Sequence, residues 1–328
     1  MIEKLGVIGG GAWGTALAQV AAAGGEDTLL WAREPEVVAS VNESHENATF
    51  LAGYPLNPAI RATGNLSDLS SCDALLVVTP AQHMRSVLGG LGRWDKPLIL
   101  CSKGMEEASM KLMHDVADEA QPGARIAVLS GPTFAHEVAI GLPAAVTLAI
   151  EDREVGEALR GRLARPNFRP YLSDDVVGAE IGGAVKNVLA IACGVVEGRG
   201  LGQNARAALI SRGFAEMTRF GLALGARAET LAGLSGLGDL VLTCSSASSR
   251  NFSLGKGLGE GHSRAELLAD RRTVAEGSFT APVLKRAAEA ACVDMPIVAA
   301  VCALLGGEAS VEEVVEALLS RPLKSEGL

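Results

Sequence analysis

Apolar positions open the chain as an unbroken run and then shift to a helical spacing. LGVIGGGAWGTALAQVAAAGG gives a strand, a glycine turn and a helix of small residues, and DTLLWAR follows as a second strand, so the N-terminus predicts a βαβ unit. Apolar strands recur as ALLVVTP (74–80), PLILCSKG (97–104), ARIAVLSGP (124–132) and AAVTLAI (144–150), separated by segments of helical period such as EEASMKLMHDVADEA (106–120). Continuous Val/Ile/Leu runs alternating with helices predict a parallel sheet covered on both faces. FRPYLSDD (168–175) adds a last strand. Beyond it the strand signals stop, and AEIGGAVKNVLAIACGVVEG, RAALISRGFAEMTRFGLALG, APVLKRAAEAA and VEEVVEALLS all read as helices. The expected organisation is an α/β domain over residues 1–180 and an all-helical domain over 181–328, with no internal repeat.

Length and charge narrow this picture. At 328 residues the chain exceeds what a single core usually holds, which agrees with two domains. A net charge of −9 argues against nucleic acid or an anionic membrane as partner. The longest unbroken apolar run, MPIVAAVCALLGG at 295–307, falls short of a membrane span and reads as a core helix. The first residues lack the charged and apolar regions of a signal peptide, so a cytoplasmic location is expected. Six cysteines at 72, 101, 193, 244, 292 and 302 show neither C-x-x-C nor metal-ligand spacing and read as reduced core thiols, with no metal site.

Gly9, Gly11 and Gly14 form G-x-G-x-x-G between a strand and a helix. In that context the first glycine permits the tight turn, the second lets the backbone approach a pyrophosphate, and the third lets helix and strand pack closely. The first domain is therefore expected to be a Rossmann-type doubly wound sheet that binds a dinucleotide. In WAREPE, Arg33 stands where a ribose is read and suits a 2′-phosphate, while Glu34 suits a hydroxyl; NADP is favoured and NAD stays open. Lys103, Gly131 and Thr133 fall at predicted strand ends, the edge where open α/β sheets bind ligands.

The helical half carries two unusual stretches. Lys186 and Asn187 sit in the middle of GGAVKNVLAIACG (182–194), a cost unless something pairs with them. The small residues Gly182, Gly183, Ala190 and Cys193 share the lysine's face, which predicts room for a ligand beside the ammonium. LAGLSGLGDLVLTCSSASSRNFSLGKGLGEG (231–261) is rich in Gly and Ser and reads as a functional loop, with Asp239 among apolar residues and Arg250 and Asn251 after a serine run that suits a phosphate. From the residues alone, a dehydrogenase of small β-hydroxy acids and a sensor that binds NAD(P)H without turnover also remain open.

GGGAWGTALA, CSKGME, SGPTFAHEV, GGAVKNVLAIACG, GLGDLVLTC and SSRNFSLG, in this order across both halves, resemble the bacterial NAD(P)-dependent glycerol-3-phosphate dehydrogenases. The resemblance implies a cytoplasmic homodimer that interconverts dihydroxyacetone phosphate and sn-glycerol 3-phosphate for phospholipid synthesis. It implies cofactor contacts at Ala12, Trp13, Arg33, Lys103, Ala135, Arg250, Val274 and Glu276, beside the glycines. Substrate contacts are implied at Lys103, Gly131, Thr133, Asn187, Asp239, Ser249, Arg250 and Asn251, with Lys186 as proton donor and acceptor. Two positions depart from commoner forms: Ala12 replaces a serine, and Glu34 replaces a second basic residue, which weakens the case for strict NADP use.

Overall fold

The computed structural model describes residues 2–268 and 275–321. The chain divides into two units, one made of the chain up to Lys103 with Lys111–Ala179, the other of Gly104–Met110 with the chain from Glu180 onward.

In the first unit, β1 (Leu5–Ile8), β2 (Thr28–Trp31), β3 (Glu46–Asn47), β4 (Leu51–Pro55), β5 (Ile60–Thr63), β6 (Ala74–Val77), β7 (Pro97–Leu100), β8 (Arg125–Ser130), β9 (Ala144–Ala149) and β10 (Phe168–Ser173) alternate with helices. These are α1 (Ala12–Ala22), α2 (Pro35–Ser44), α3 (Met84–Gly89), α4 (Met113–Ala120), α5 (Ala135–Ala139) and α6 (Arg153–Leu163). The main sheet runs β10-β9-β8-β7-β6-β1-β2-β5, and β3 and β4 form a separate hairpin. From β1 the chain winds outward to β2 and β5 on one side and to β6, β7 and β8 on the other, all parallel, which is the doubly wound arrangement. The continuous apolar runs arise because both faces are buried: Leu5 and Val7 of β1 enter one core layer and Ile8 the other, while Leu76 of β6 opposes Leu75 and Val77 in the same way.

Two sequence expectations change here. β9 pairs antiparallel with β8, so the sheet is not parallel throughout. The connection, residues 131–143, holds only the five-residue α5 and not the full-length crossover helix that usually joins parallel neighbours. Residues 106–112 are not helical; Met110 has φ +59°, a left-handed conformation that no right-handed helix continues through, and α4 starts only at Met113. The short strands β3, β4 and β5 carried too little pattern to be foreseen.

Apart from Gly104–Met110, the regular elements among the described residues of the second unit are helices: α7 (Val176–Gly198), which begins in the first unit, α8 (Gly202–Ala223), α9 (Ala228–Leu231), α10 (Asp239–Cys244), α11 (Arg250–Gly259), α12 (Arg264–Leu267), α13 (Gly277–Ala290), α14 (Pro296–Gly306) and α15 (Val311–Leu319). By length and hydropathy α7 is able to cross a membrane, a property that a search for unbroken runs misses because Glu180 and Lys186 interrupt it. With 89% of its most apolar window buried, it is a core helix.

The stretch 231–261 is not a loop. A π-helical turn at Leu234–Gly238 leads into α10, and α11 follows six residues beyond Cys244. Its glycines serve packing: a Cβ at Gly255 would lie 1.9 Å from the Ile191 carbonyl oxygen, and one at Gly194 would lie 2.1 Å from that of Phe252. α7 and α11 therefore pack backbone against backbone. Glu216 of α8 accepts hydrogen bonds from Ile297 N–H at 2.8 Å and Val298 N–H at 3.4 Å, satisfying the first turn of α14. Burial pushes its carboxyl up to about 7.

Candidate active site

The glycine turn divides its labour among three positions. Gly9 has φ +124°, and a Cβ there would sit 2.9 Å from the Val78 carbonyl oxygen. At Gly14 a Cβ would meet the Gly9 carbonyl oxygen at 1.9 Å, so helix and turn touch. Gly11 differs, because a Cβ there would meet nothing within 4 Å. Its exposed backbone begins α1, where unpaired N–H groups favour an anion, and Ala12 and Trp13 follow half-buried in the first turn. A bracing residue escaped the sequence reading: the fully buried Asn47 donates from Nδ2 to the Gly10 carbonyl and to Thr15 Oγ1, both at 2.8 Å. No local pattern marks an asparagine on a two-residue strand.

Arg33 lies two residues beyond β2, its Nε and Nη2 donating to Glu34 Oε1 at 3.2 and 3.1 Å. The Arg33 side chain is 78% exposed, so this pair is weak and open to exchange for another anion. Lys103 lies three residues beyond β7, and Gly131 directly follows β8. Thr133 Oγ1 donates to the Gly131 carbonyl at 3.4 Å, and Ala135 opens α5. These residues, with the glycine turn, share the carboxyl edge of the parallel strands.

The second unit buries Lys186, Asn187, Asp239, Thr243 and Asn251. Lys186 Nζ donates to Asp239 Oδ1 at 2.6 Å and to Thr243 Oγ1 at 3.0 Å, and the Thr243 hydroxyl donates to the same Oδ1 at 3.3 Å. Asp239 is fully buried, and Lys186 and Thr243 nearly so. Thr243 was not foreseen, although it lies one turn after Asp239 on α10 and therefore on the same face. Beside the lysine, Asn187 Oδ1 accepts from Asn251 Nδ2 at 3.0 Å, and Asn251 Oδ1 accepts from Gly277 N–H at 2.9 Å.

The small residues around Lys186 do not all leave space for a ligand as expected. A Cβ at Gly182 would lie 2.0 Å from the Ser235 carbonyl oxygen, so the π-helical turn occupies that side. Ser249 is the N-cap of α11, its Oγ accepting from Phe252 N–H at 3.3 Å. Arg250 is exposed in the first turn of that helix, not in a loop. Glu276 is the N-cap of α13, and Val274 lies outside the described residues.

Residues 4–156 match the family described as NAD-dependent glycerol-3-phosphate dehydrogenase N-terminus, and residues 175–316 match its C-terminus. The chain belongs to the NAD-dependent glycerol-3-phosphate dehydrogenase family. It is accordingly an NAD(P)-dependent oxidoreductase. It is 66% identical over 326 residues to the NAD(P)+ glycerol-3-phosphate dehydrogenase of Erythrobacter litoralis, covering 99% of this chain and 98% of that one. The corresponding protein of Novosphingobium aromaticivorans is 65% identical, with 99% of both chains covered. Among solved structures, glycerol-3-phosphate dehydrogenase from Coxiella burnetii superposes with a TM-score of 0.93 at 36% identity, covering 98% of this chain and 99% of that one.

Proposed function

We propose that the chain interconverts dihydroxyacetone phosphate and sn-glycerol 3-phosphate with NAD(P)H or NAD(P)+, and that Lys186 moves the proton. The observation that carries this reading is the buried Lys186–Asp239–Thr243 cluster. A buried ion pair usually contributes no more to stability than apolar residues of the same size, so its place in the core of a helical unit calls for a chemical reason. The family's activity supplies one.

The glycine turn fits a dinucleotide: Gly11 alone of the three is open on its outer side, at a helix N-terminus. When bound, the reduced nicotinamide supplies the hydride that reaches C2 of the ketone. The chain's residues do the rest. Negative charge gathers on the C2 oxygen, and the Lys186 ammonium hydrogen-bonds to it and releases a proton to it. Asp239 and Thr243 hold the ammonium in one position while this happens. Asn187 donates to the same oxygen or to a neighbouring hydroxyl. In the reverse direction neutral Lys186 takes the proton of the C2 hydroxyl. Arg250, exposed in the first turn of α11, offers a planar fork of donors to the phosphate, with Ser249 and Asn251 beside it. Lys103, Gly131 and Thr133 are the proposed substrate contacts of the first unit, and Arg33 and Glu276 proposed cofactor contacts.

The same reading makes the protein a cytoplasmic homodimer that supplies glycerol 3-phosphate to lipid synthesis. In its support, all six cysteines are free thiols, and the second unit exposes Leu201, Leu222 and Leu224. Light scattering tests the dimer. Oxidation of NADPH and NADH with dihydroxyacetone phosphate, beside dihydroxyacetone, tests the activity: turnover is expected with the phosphorylated ketone at an efficiency about a hundredfold higher or more. Equal efficiencies overturn the substrate assignment.

A further inference from the structure

Lys186 and Asp239 meet because their two segments are held in step one turn earlier. On α7, Gly182 precedes Lys186 by four residues, so the two share a face. On the facing segment, Ser235 precedes Asp239 by four residues, within the π-helical turn Leu234–Gly238 that leads straight into α10. The two earlier positions touch through their backbones: a Cβ at Gly182 would lie 2.0 Å from the Ser235 carbonyl oxygen and 2.8 Å from Gly236 Cα. The turn is also held from another side, since a Cβ at Gly236 would lie 1.9 Å from the carbonyl oxygen of Leu231, the last residue of α9. Its closing hydrogen bond runs from Gly238 N–H to the Gly233 carbonyl at 3.0 Å and spans five residues, one more than an α-helical turn. Each residue of an α-helix turns the chain by about 100°. Without the extra residue, Leu240 would stand in the place of Asp239 and Cys244 in that of Thr243, and Lys186 would face an apolar side chain.

We propose that Gly182 is a positioning residue for the proton transfer: by seating the π-helical turn against α7 it sets the distance and the phase at which Asp239 meets Lys186. A side chain at position 182 would push the turn back by about 1 Å or more before ordinary contact is reached. The same retreat at Asp239 takes its 2.6 Å hydrogen bond from Lys186 Nζ to about 3.6 Å, outside hydrogen-bonding range. An ammonium no longer held in one place donates its proton less well, and a displacement of that size costs up to about a hundredfold in rate. Gly198 supplies the contrast. A Cβ there would lie 2.2 Å from the Lys256 carbonyl oxygen, an equally close contact on the same helix, but about 18 Å along it from Lys186. Gly198 therefore serves packing alone, whereas Gly182 serves packing and the ion pair. This inference rests on the proposed function, in which Lys186 moves the proton.

The test is single-turnover reduction of dihydroxyacetone phosphate by Gly182→Ala and Gly198→Ala, each alone and combined with Asp239→Glu. Gly182→Ala is expected to slow the chemical step by about ten- to a hundredfold while NAD(P)H affinity, read by fluorescence, stays within about threefold of wild type. Gly198→Ala is expected to lose comparable stability in denaturant and keep the chemical step within about threefold. Asp239→Glu lengthens the carboxylate by one methylene, about 1.3 Å, which overreaches a partner in its native place but spans the gap left in Gly182→Ala. It is therefore expected to slow the otherwise wild-type protein and to recover about threefold or more of the rate lost in Gly182→Ala. Equal slowing by the two glycine substitutions, or the same loss from Asp239→Glu with and without Gly182→Ala, overturns the proposal. Should Gly182→Ala fail to fold, Gly233→Ala takes its place: a Cβ there meets the Thr230 carbonyl oxygen at 3.2 Å, a milder push at the start of the turn. A slowing of about threefold that Asp239→Glu relieves is then expected, and a wild-type rate overturns the proposal. If Lys186→Met keeps the wild-type chemical step, the functional reading has failed, an outcome distinct from any result of the glycine variants.

Discussion

The two units use glycine and charge in opposite ways. In the first, Gly11 leaves backbone open at a helix start, and Arg33 stands exposed at the sheet's edge. In the second, Gly182, Gly194 and Gly255 remove side chains so that backbones touch, and Lys186 and Asp239 are buried. A dinucleotide is recognised largely through its phosphates, which a rigid backbone turn can meet at the surface. A proton transfer needs a cation held at one place in a medium that strengthens its field, and only a closely packed interior provides that.

Removing charge should expose this contrast most strongly. Asp239→Ala leaves the Lys186 cation buried without its carboxylate and is expected to cost about 3–5 kcal/mol in denaturant unfolding. Arg33→Ala breaks an exposed pair and should stay within about 0.5 kcal/mol of wild type, while eroding any preference for NADPH over NADH in paired kinetics. Similar stability losses at the two sites would erase the distinction.

Glu216 extends the contrast to pH. Its carboxyl is pushed up to about 7 by burial against an unfolded value of 4.5, so the folded state favours the neutral form. That stability is fully present below pH 4.5 and is lost as pH rises through 7, an effect of order 3 kcal/mol. Unfolding free energy is expected to fall between pH 5 and pH 8, and Glu216→Gln should flatten that part of the profile. An unchanged slope in the variant would assign the pH dependence to other groups.

The glycines give a smaller but sharper pair. Gly255→Ala forces a Cβ against the Ile191 carbonyl and is expected to cost about 1–3 kcal/mol or more. Gly11→Ala meets no neighbour at an ordinary φ of −70°, so its stability should shift by less than about 1 kcal/mol. NAD(P)H affinity should instead fall about tenfold or more, as fluorescence titration reads it. If Gly11→Ala destabilised the protein as much as Gly255→Ala, the turn would be a packing device like the others.

What was legible in the sequence follows the same division. A strand, three glycines and a helix at fixed spacing have essentially one arrangement, so Gly9, Gly11 and Gly14 could be read with their separate roles. Lys186 and Asp239 were legible because a charge among aliphatic residues must be paired, and each supplies what the other needs. Asn47 and Thr243 were not, since a single polar residue says nothing about which distant backbone or side chain it will meet. The glycines of 231–261 misled for a physical reason: glycine permits both a flexible loop and the closest helix packing, and only the partner helix decides between them. The direction of β9 was hidden because a buried strand shows the same apolar run whichever way it lies beside its neighbour.

The most direct measurement is single-turnover reduction of dihydroxyacetone phosphate by a Lys186→Met variant, with NAD(P)H affinity measured on the same protein. With Lys186 as the proton donor and not a cofactor contact, the chemical step should slow by roughly a hundred- to ten-thousand-fold while NAD(P)H affinity stays within about threefold of wild type. A variant that keeps a tenth of the wild-type rate for that step would contradict the account and remove Lys186 from the chemistry.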